Sequence, residues 1–190
     1  MQLNIPVILG SVRQNRNSYF PAKFMVERLK AAGVESQLVD FKELPLPFVD
    51  SPEEPSELNK NYPHDSVQKW SAIADAGDAF VLVVSEYNHG YSGVLKNALD
   101  WLYNEFEKKP FGLVGVSSGK FGGIRAMEQI RPIIEYFGSF AIRETVPFGP
   151  AQKAFNAQGQ LIDETYNKRI DGFIKSLIWS AEIMKKARST

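Results

Sequence analysis

Residues 79–101 read AFVLVVSEYNHGYSGVLKNALDW. The first seven, Ala79–Ser85, are almost wholly apolar. That is too apolar for a strand wetted on one face and right for a parallel strand buried on both. A polar loop carrying Gly90 and Gly93 follows. Ser92 then stands where a serine caps a helix, and Val94, Leu95, Ala98 and Leu99 continue at helical spacing. The same unit recurs along the chain. Further apolar runs lie at Leu3–Leu9, Ser36–Phe41, Phe111–Val116 and Phe140–Val146, and helical patterns fall near Ser18–Ala32, Asp65–Ala76, Ser92–Phe106, Gly123–Phe137 and Asp163–Lys186. Gly33, Gly77 and Gly138 each follow a helix as a stop signal. Asp65 with Gln68 reads as a capping box. Strand and helix alternating five times predict an α/β fold, a doubly wound parallel sheet with helices on both faces.

Two features fit that pattern less well. Pro6 removes one ladder hydrogen bond from the first strand. Phe41–Pro63 holds five of the eleven prolines, which makes it a long irregular connection. Loops of that length are commonly functional.

Composition narrows the function. A chain of 190 residues suits one domain, 1–190, and its 22 basic and 22 acidic side chains cancel. Zero net charge argues against a nucleic-acid partner, whose phosphates need excess basic charge, and against an acidic electron shuttle that docks on basic partners. Cysteine is absent, so disulfides, thiolate metal sites and a cysteine nucleophile are excluded. No stretch approaches the ~20 apolar residues of a membrane span. The start, MQLNIPVILGSV, lacks a positive targeting region. A cytoplasmic protein that binds no membrane is the expectation.

In such a sheet, ligands bind beyond the C-terminal strand ends, where strand order reverses. For the order 2-1-3-4-5 the loops after the first and third strands flank that crevice. The first is GSVRQNRNS, Gly10–Ser18, which offers hydroxyls at Ser11 and Ser18 and cations at Arg13 and Arg16, and which feeds a helix N-terminus. Free N–H groups and the helix dipole favour an anion there, so the loop reads as a phosphate cradle. Its single glycine excludes a G-x-G-x-x-G dinucleotide turn. The second loop is the one quoted above. Its glycines allow close backbone approach, and Tyr87 and Tyr91 offer aromatic surface for a flat ligand that Asn88 could read. No G-x-S-x-G elbow accompanies Glu86 and His89, so a hydrolytic triad has no support. His64 and His89 alone are too few for a metal site. The third loop, SSGKFGGIR at Ser117–Arg125, superficially matches a Walker motif. However, Gly115 to Gly119 is one residue short, and Phe121 stands where Ser or Thr must bind magnesium.

Taken together, the three loops resemble those of the NADPH-dependent FMN reductases of the flavodoxin-like superfamily. GSVRQNRNS is similar to that family's GS-x-R phosphate loop, EYN…GVLKNALDW to its most specific stretch, and SSGKFGG to its Gly-rich third loop. The likeness spans about Ile5–Phe148. It implies a flavodoxin-like three-layer α/β/α fold with FMN as cofactor and NADPH or NADH as co-substrate. It also implies a small-molecule electron acceptor (a flavin, quinone or azo compound) and a homodimer or homotetramer. Carried over by position, Ser11, Arg13 and Ser18 would hold the FMN phosphate. Glu86, Tyr87 and Asn88 would line the ring, and Ser117 and Gly119 would close its other edge. Ser85 and Ser92 replace two prolines of the family pattern, and Tyr19–Phe20–Pro21 also departs from it.

Hydride transfer through a flavin needs no side-chain acid or base, so no catalytic residue and no metal ligand is expected. The expected reaction is ping-pong transfer from nicotinamide to FMN and then to the acceptor. The alternatives are a flavodoxin-type electron carrier and a non-catalytic flavin-binding regulator. The apolar arc from Val94 to Phe106 fits either core packing or a subunit interface.

Overall fold

The first strand is shorter than its apolar run. In this computed structural model, which describes residues 2–189, β1 covers only Val7–Leu9. Pro6 has no N–H to continue the ladder, although its carbonyl still accepts from Val81 N at 3.1 Å. The other strands are β2 (Leu38–Asp40), β3 (Phe80–Ser85), β4 (Phe111–Val116) and β5 (Ala141–Phe148). All pair in parallel in the order β2-β1-β3-β4-β5. The alternation predicted the parallel sheet, and this strand order is the flavodoxin-like one that the family resemblance implied.

Helices α1 (Tyr19–Ala31), α2 (Asp65–Ala76), α3 (Gly93–Asp100), α4 (Ile124–Tyr136), α5 (Ala151–Ala154) and α6 (Asn167–Arg188) flank the sheet. Strand alternation sorts the core into two layers. Val7, Leu9, Val81, Val83 and Val114 face α1 and α6 through Met25, Leu29, Phe173 and Leu177. Ile8, Leu82, Val84 and Leu113 face α2, α3 and α4 through Trp70, Leu99 and Ile130. Both faces are therefore dry, as the unbroken apolar strands require.

The structure corrects several local expectations. The capping box does not form, because Asp65 is already the first helical residue and His64 precedes it without a side-chain cap. Gln68 instead donates to Tyr62 O at 2.8 Å. Gly33 and Gly138 adopt the left-handed conformation of helix stops, whereas Gly77 is extended. Helix α3 ends at Asp100, and a 3₁₀ turn at Asn104–Phe106 follows. Trp101, Leu102 and Phe106 are buried in the core, so packing within the chain accounts for most of the apolar arc. A second 3₁₀ turn, Glu164–Tyr166 capped by Asp163, delays the start of α6.

Residues 41–63 carry no helix or strand. Polar anchors pin them to the α3 side instead. Asn97 Nδ2 and Trp101 Nε1 both donate to Pro47 O at 2.8 Å, and Tyr62 OH donates to the buried Glu105 at 2.8 Å. No helix among the described residues is long and apolar enough to cross a membrane.

Candidate functional site

The chain leaves β1 toward α1 on one face and β3 toward α3 on the other. That divergence opens a crevice above their C-terminal ends. A cleft of about 150 Å³ lies there, lined among others by Ser11, Arg13, Ser18, Glu86, Tyr87 and Ser117. Six of the eight predicted residues thus meet in one place. Asn88 and Gly119 do not line it; both are exposed on their loops.

Gly10 begins the cradle. Its N–H donates to Val83 O at 3.0 Å, and a Cβ there would sit 2.7 Å from the same oxygen, so only glycine fits. Ser11 is buried, with its Oγ 2.6 Å from Tyr87 OH. Ser18 occupies the cap position of α1, yet its hydroxyl makes no cap bond and is buried without any hydrogen-bond partner. The first turn of α1 carries no acid, which leaves its positive end uncompensated. Arg16 pairs with Asp40 at the end of β2, and its Nη1 is also buried without a partner. Arg13 is exposed, its guanidinium 5.8 Å from the Tyr87 ring centre.

The second loop is a tight hairpin. Tyr87 and Gly90 exchange backbone hydrogen bonds at 2.8 and 3.0 Å across Asn88 and His89, both of which have positive φ. This geometry points the Tyr87 hydroxyl at Ser11 and lifts Asn88 and His89 into solvent. Glu86 Oε1 lies 3.5 Å from Arg125 Nη1, while Glu86 Oε2 is buried without a partner. Ser92 caps α3 through Leu95 N at 3.2 Å and also donates to Gly10 O, which ties the second loop to the first.

The third loop closes the opposite wall. Ser117 Oγ donates to Gly119 O at 2.9 Å. Gly123 has φ of 80° and would place a Cβ 2.7 Å from Val116 N, so the turn into α4 needs glycine on both counts. Beyond it, Phe121 is exposed beneath the Arg125 guanidinium, 4.9 Å from its ring centre. A larger cavity of about 1030 Å³ shares Arg13, Asn15, Arg16 and Asn17 and extends past Asp40 and Lys42 toward Phe155.

The donor set suits a specific kind of ligand. A hydroxyl, a guanidinium nitrogen and a helix N-terminus converge at one end, where an anion would satisfy them together. A carboxylate oxygen without a partner waits at the other end, where it would accept from an N–H. No group of three or more His, Asp or Glu among the described residues is placed to hold a metal ion.

The family model for NADPH-dependent FMN reductase matches residues 3–153. The chain belongs to that family. Similar proteins include an NAD(P)H-dependent FMN reductase of Pseudomonas aeruginosa, 32% identical over 120 residues that cover 60% of this chain and 65% of that one. An FMN-dependent NADPH-azoreductase of Staphylococcus aureus is 30% identical over 178 residues, 90% of this chain and 92% of the other. Among solved structures, the flavoenzyme NAD(P)H:(acceptor) oxidoreductase of Paracoccus denitrificans superposes with a TM-score of 0.81. It is 23% identical and covers 96% of this chain and 98% of that one. Membership makes this chain an oxidoreductase of the FMN-dependent, NAD(P)H-using class.

Three contacts of this FMN reductase fold are invisible in the sequence. Arg16 meets Asp40 across 24 positions, Glu86 meets Arg125 across 39, and Ser92 meets Gly10 across 82. Local spacing carries no signal for such pairs, because only the sheet order brings their loops together.

Proposed function

We propose that the chain, acting as one domain over 1–190, binds FMN in this crevice and passes hydride from NADPH or NADH to a flavin, quinone or similar small acceptor. The unpartnered Ser18 hydroxyl at the uncompensated α1 N-terminus carries the reading, because a buried donor without a partner is costly unless a ligand completes it. Ser11, Arg13 and Ser18 would take the phosphate. Glu86, Tyr87 and Asn88 would border the ring on one side, and Ser117 and Gly119 on the other. The cleft of about 150 Å³ suits a phosphate and its chain, being smaller than the ~300 Å³ at which pockets begin to enclose whole ligands. The flat ring would then lie on the open shelf of the second and third loops, where a Cβ added at Gly93 would meet nothing within 4 Å.

When bound, FMN supplies the redox chemistry. The protein's part is to hold the phosphate, orient the ring edge and leave one face open. An open face admits nicotinamide and acceptor in turn, which predicts parallel-line kinetics. The purified protein should show a flavin spectrum that bleaches rapidly under NADPH or NADH without a partner protein. A bound flavin that stays oxidised for minutes under excess of both would overturn the enzyme reading in favour of a carrier.

The assembly is proposed as a homodimer or homotetramer. Trp179 and Ile183 support it, exposed by 63% and 45% one turn apart on α6. Sedimentation at micromolar concentration should show more than the 21.4 kDa chain, and a clean monomer would refute it.

A further inference from the structure

We infer that two copies of the chain pair through the outward side of α6, antiparallel, about a two-fold axis passing between Ser176 and Trp179. The inference rests on the homo-oligomer proposed above and names its interface.

Helix α6 buries Ile170, Phe173, Ile174, Leu177 and Ala181 against the sheet. In a monomer its other side should be polar throughout. Instead Gly172, Ser176, Trp179 and Ile183 follow at spacings of four, three and four, which sets them in one stripe away from the sheet. Trp179 is 63% exposed and Ile183 45%. Tyr136 on α4 is more exposed, but its ring meets that of Tyr103 at 5.8 Å. Trp179 meets no ring or cation among the described residues. Gly172 adds a second sign. It stands inside a helix, where glycine is the least stable choice short of proline. A Cβ there would meet nothing within 4 Å, so nothing within the chain calls for glycine. The close approach of a second molecule does.

The order of these side chains selects the arrangement. The small residues stand at one end of the stripe and the large ones at the other. Laid antiparallel, Gly172 faces Ile183 of the second copy and Ser176 faces Trp179 of the second copy, because both pairs share one midpoint. Each bulky side chain then fills a gap left by a small one, twice over by symmetry. A parallel pair would set Trp179 against Trp179 and leave Gly172 against Gly172. Charge agrees with the antiparallel order. Lys175 and Glu182, both exposed, flank the stripe on the same side, and in this register each Lys175 falls within a turn of Glu182 of the second copy. The contact also reaches a workable size. A helix of 22 residues is ~33 Å long and ~10 Å wide, a face of roughly 300 Å². Beside it a cleft of about 640 Å³, between Ile174 and Ile178 on α6 and Ala31 and Ala32 at the end of α1, widens the contact toward the ~800 Å² per partner of stable interfaces. None of the residues named lines the crevice, so pairing leaves it open.

Sedimentation equilibrium of the full chain as purified, across the micromolar range, gives the dimer dissociation constant. Trp179→Glu should weaken pairing by about thirtyfold or more, the scale of an interface hot spot, with the absorbance spectrum unchanged. Ile183→Lys is tested beside it, so that a folding defect in either variant leaves the other to decide. Lys175→Glu and Glu182→Lys should each weaken self-association by about threefold or more, since two ion pairs are lost at once. An equimolar mixture of those two variants should recover it as a mixed dimer, because every flanking charge then meets its opposite. Wild-type dimers that neither Trp179→Glu nor Ile183→Lys weakens would place the interface elsewhere, refuting the inference while the homo-oligomer stands. A mixture that associates no better than either charge variant alone would refute the antiparallel pairing. A wild-type chain that stays at 21.4 kDa throughout would bring down the homo-oligomer itself.

Discussion

Ser18 is a serine at a helix N-terminus that caps nothing. Such a residue normally stabilises its helix by about 0.5–2 kcal/mol. Here the hydroxyl makes no bond to the first turn of α1 and has no other partner. Removing it from the ligand-free protein should therefore cost almost nothing, since an unsatisfied buried donor contributes no stability. The Ser18→Ala variant is expected to melt with the wild type, within ~0.5 kcal/mol in urea, yet to bind FMN more weakly by about 1.5–3 kcal/mol. Riboflavin binding should be unaffected. A variant destabilised by ~1 kcal/mol with FMN affinity intact would show that the hydroxyl serves the helix after all. The same separation of fold from function runs through the crevice. Gly10 and Gly123 are there because a Cβ would strike backbone, whereas Arg16, Ser18 and Glu86 each keep a polar atom that the fold leaves unused.

At the level of elements, the start of α3 is tied to the loop after β1. Ser92 makes the tie, through its cap bond to Leu95 N and its donation to Gly10 O. Ser92→Ala should destabilise the protein by about 1–2 kcal/mol, the upper part of the range for a lost cap, because a second buried bond goes with it. Chemical denaturation would check this, and a loss under ~0.3 kcal/mol would mean that the loops hold together without it. Elements such as these were legible in the sequence because their signals are local. Unbroken apolar runs gave β3 and β4, helical spacing gave α3 and α4, and the crevice loop Gly10–Ser18 followed from its place before α1. What escaped was decided by neighbours distant in the chain. The end of α3 at Asp100 depends on where Trp101 and Leu102 find core contacts. The anchoring of residues 41–63 depends on Asn97 and Trp101 meeting Pro47 O. The residues of the cradle could be named from the loop alone, but not which of its two arginines is buried, because Asp40 lies on a different strand.

Over the whole molecule, the two apolar layers leave a few charges inside, and the most telling is Lys109. It is 7% exposed, and its ammonium donates to Ala74 O at 3.0 Å and Asp75 O at 2.8 Å, closing the C-terminal end of α2. Burial pushes its pKa down to about 8, opposed by Asp75 and Asp78 and assisted by Arg188 and Lys60. In the unfolded chain the same group titrates near ~10.4. Below pH 8 both states hold the proton, and the folded state bears the full cost of burying it. Between about 8 and 10.4 the unfolded state binds more protons, so stability rises with pH. Tyr62 works in the opposite sense. Burial and the Glu105 carboxylate raise its pKa above the ordinary tyrosine value, so the folded protein loses stability at pH above ~10. The informative window is therefore pH 8 to 9.5. Across it, the unfolding free energy of the wild type should climb by on the order of 1–2 kcal/mol relative to that of Lys109→Met, which has no proton to shed there. Urea denaturation of both proteins at a series of pH values measures this difference directly. Parallel pH profiles would mean that the Ala74 and Asp75 carbonyls stabilise the ammonium enough to offset its desolvation.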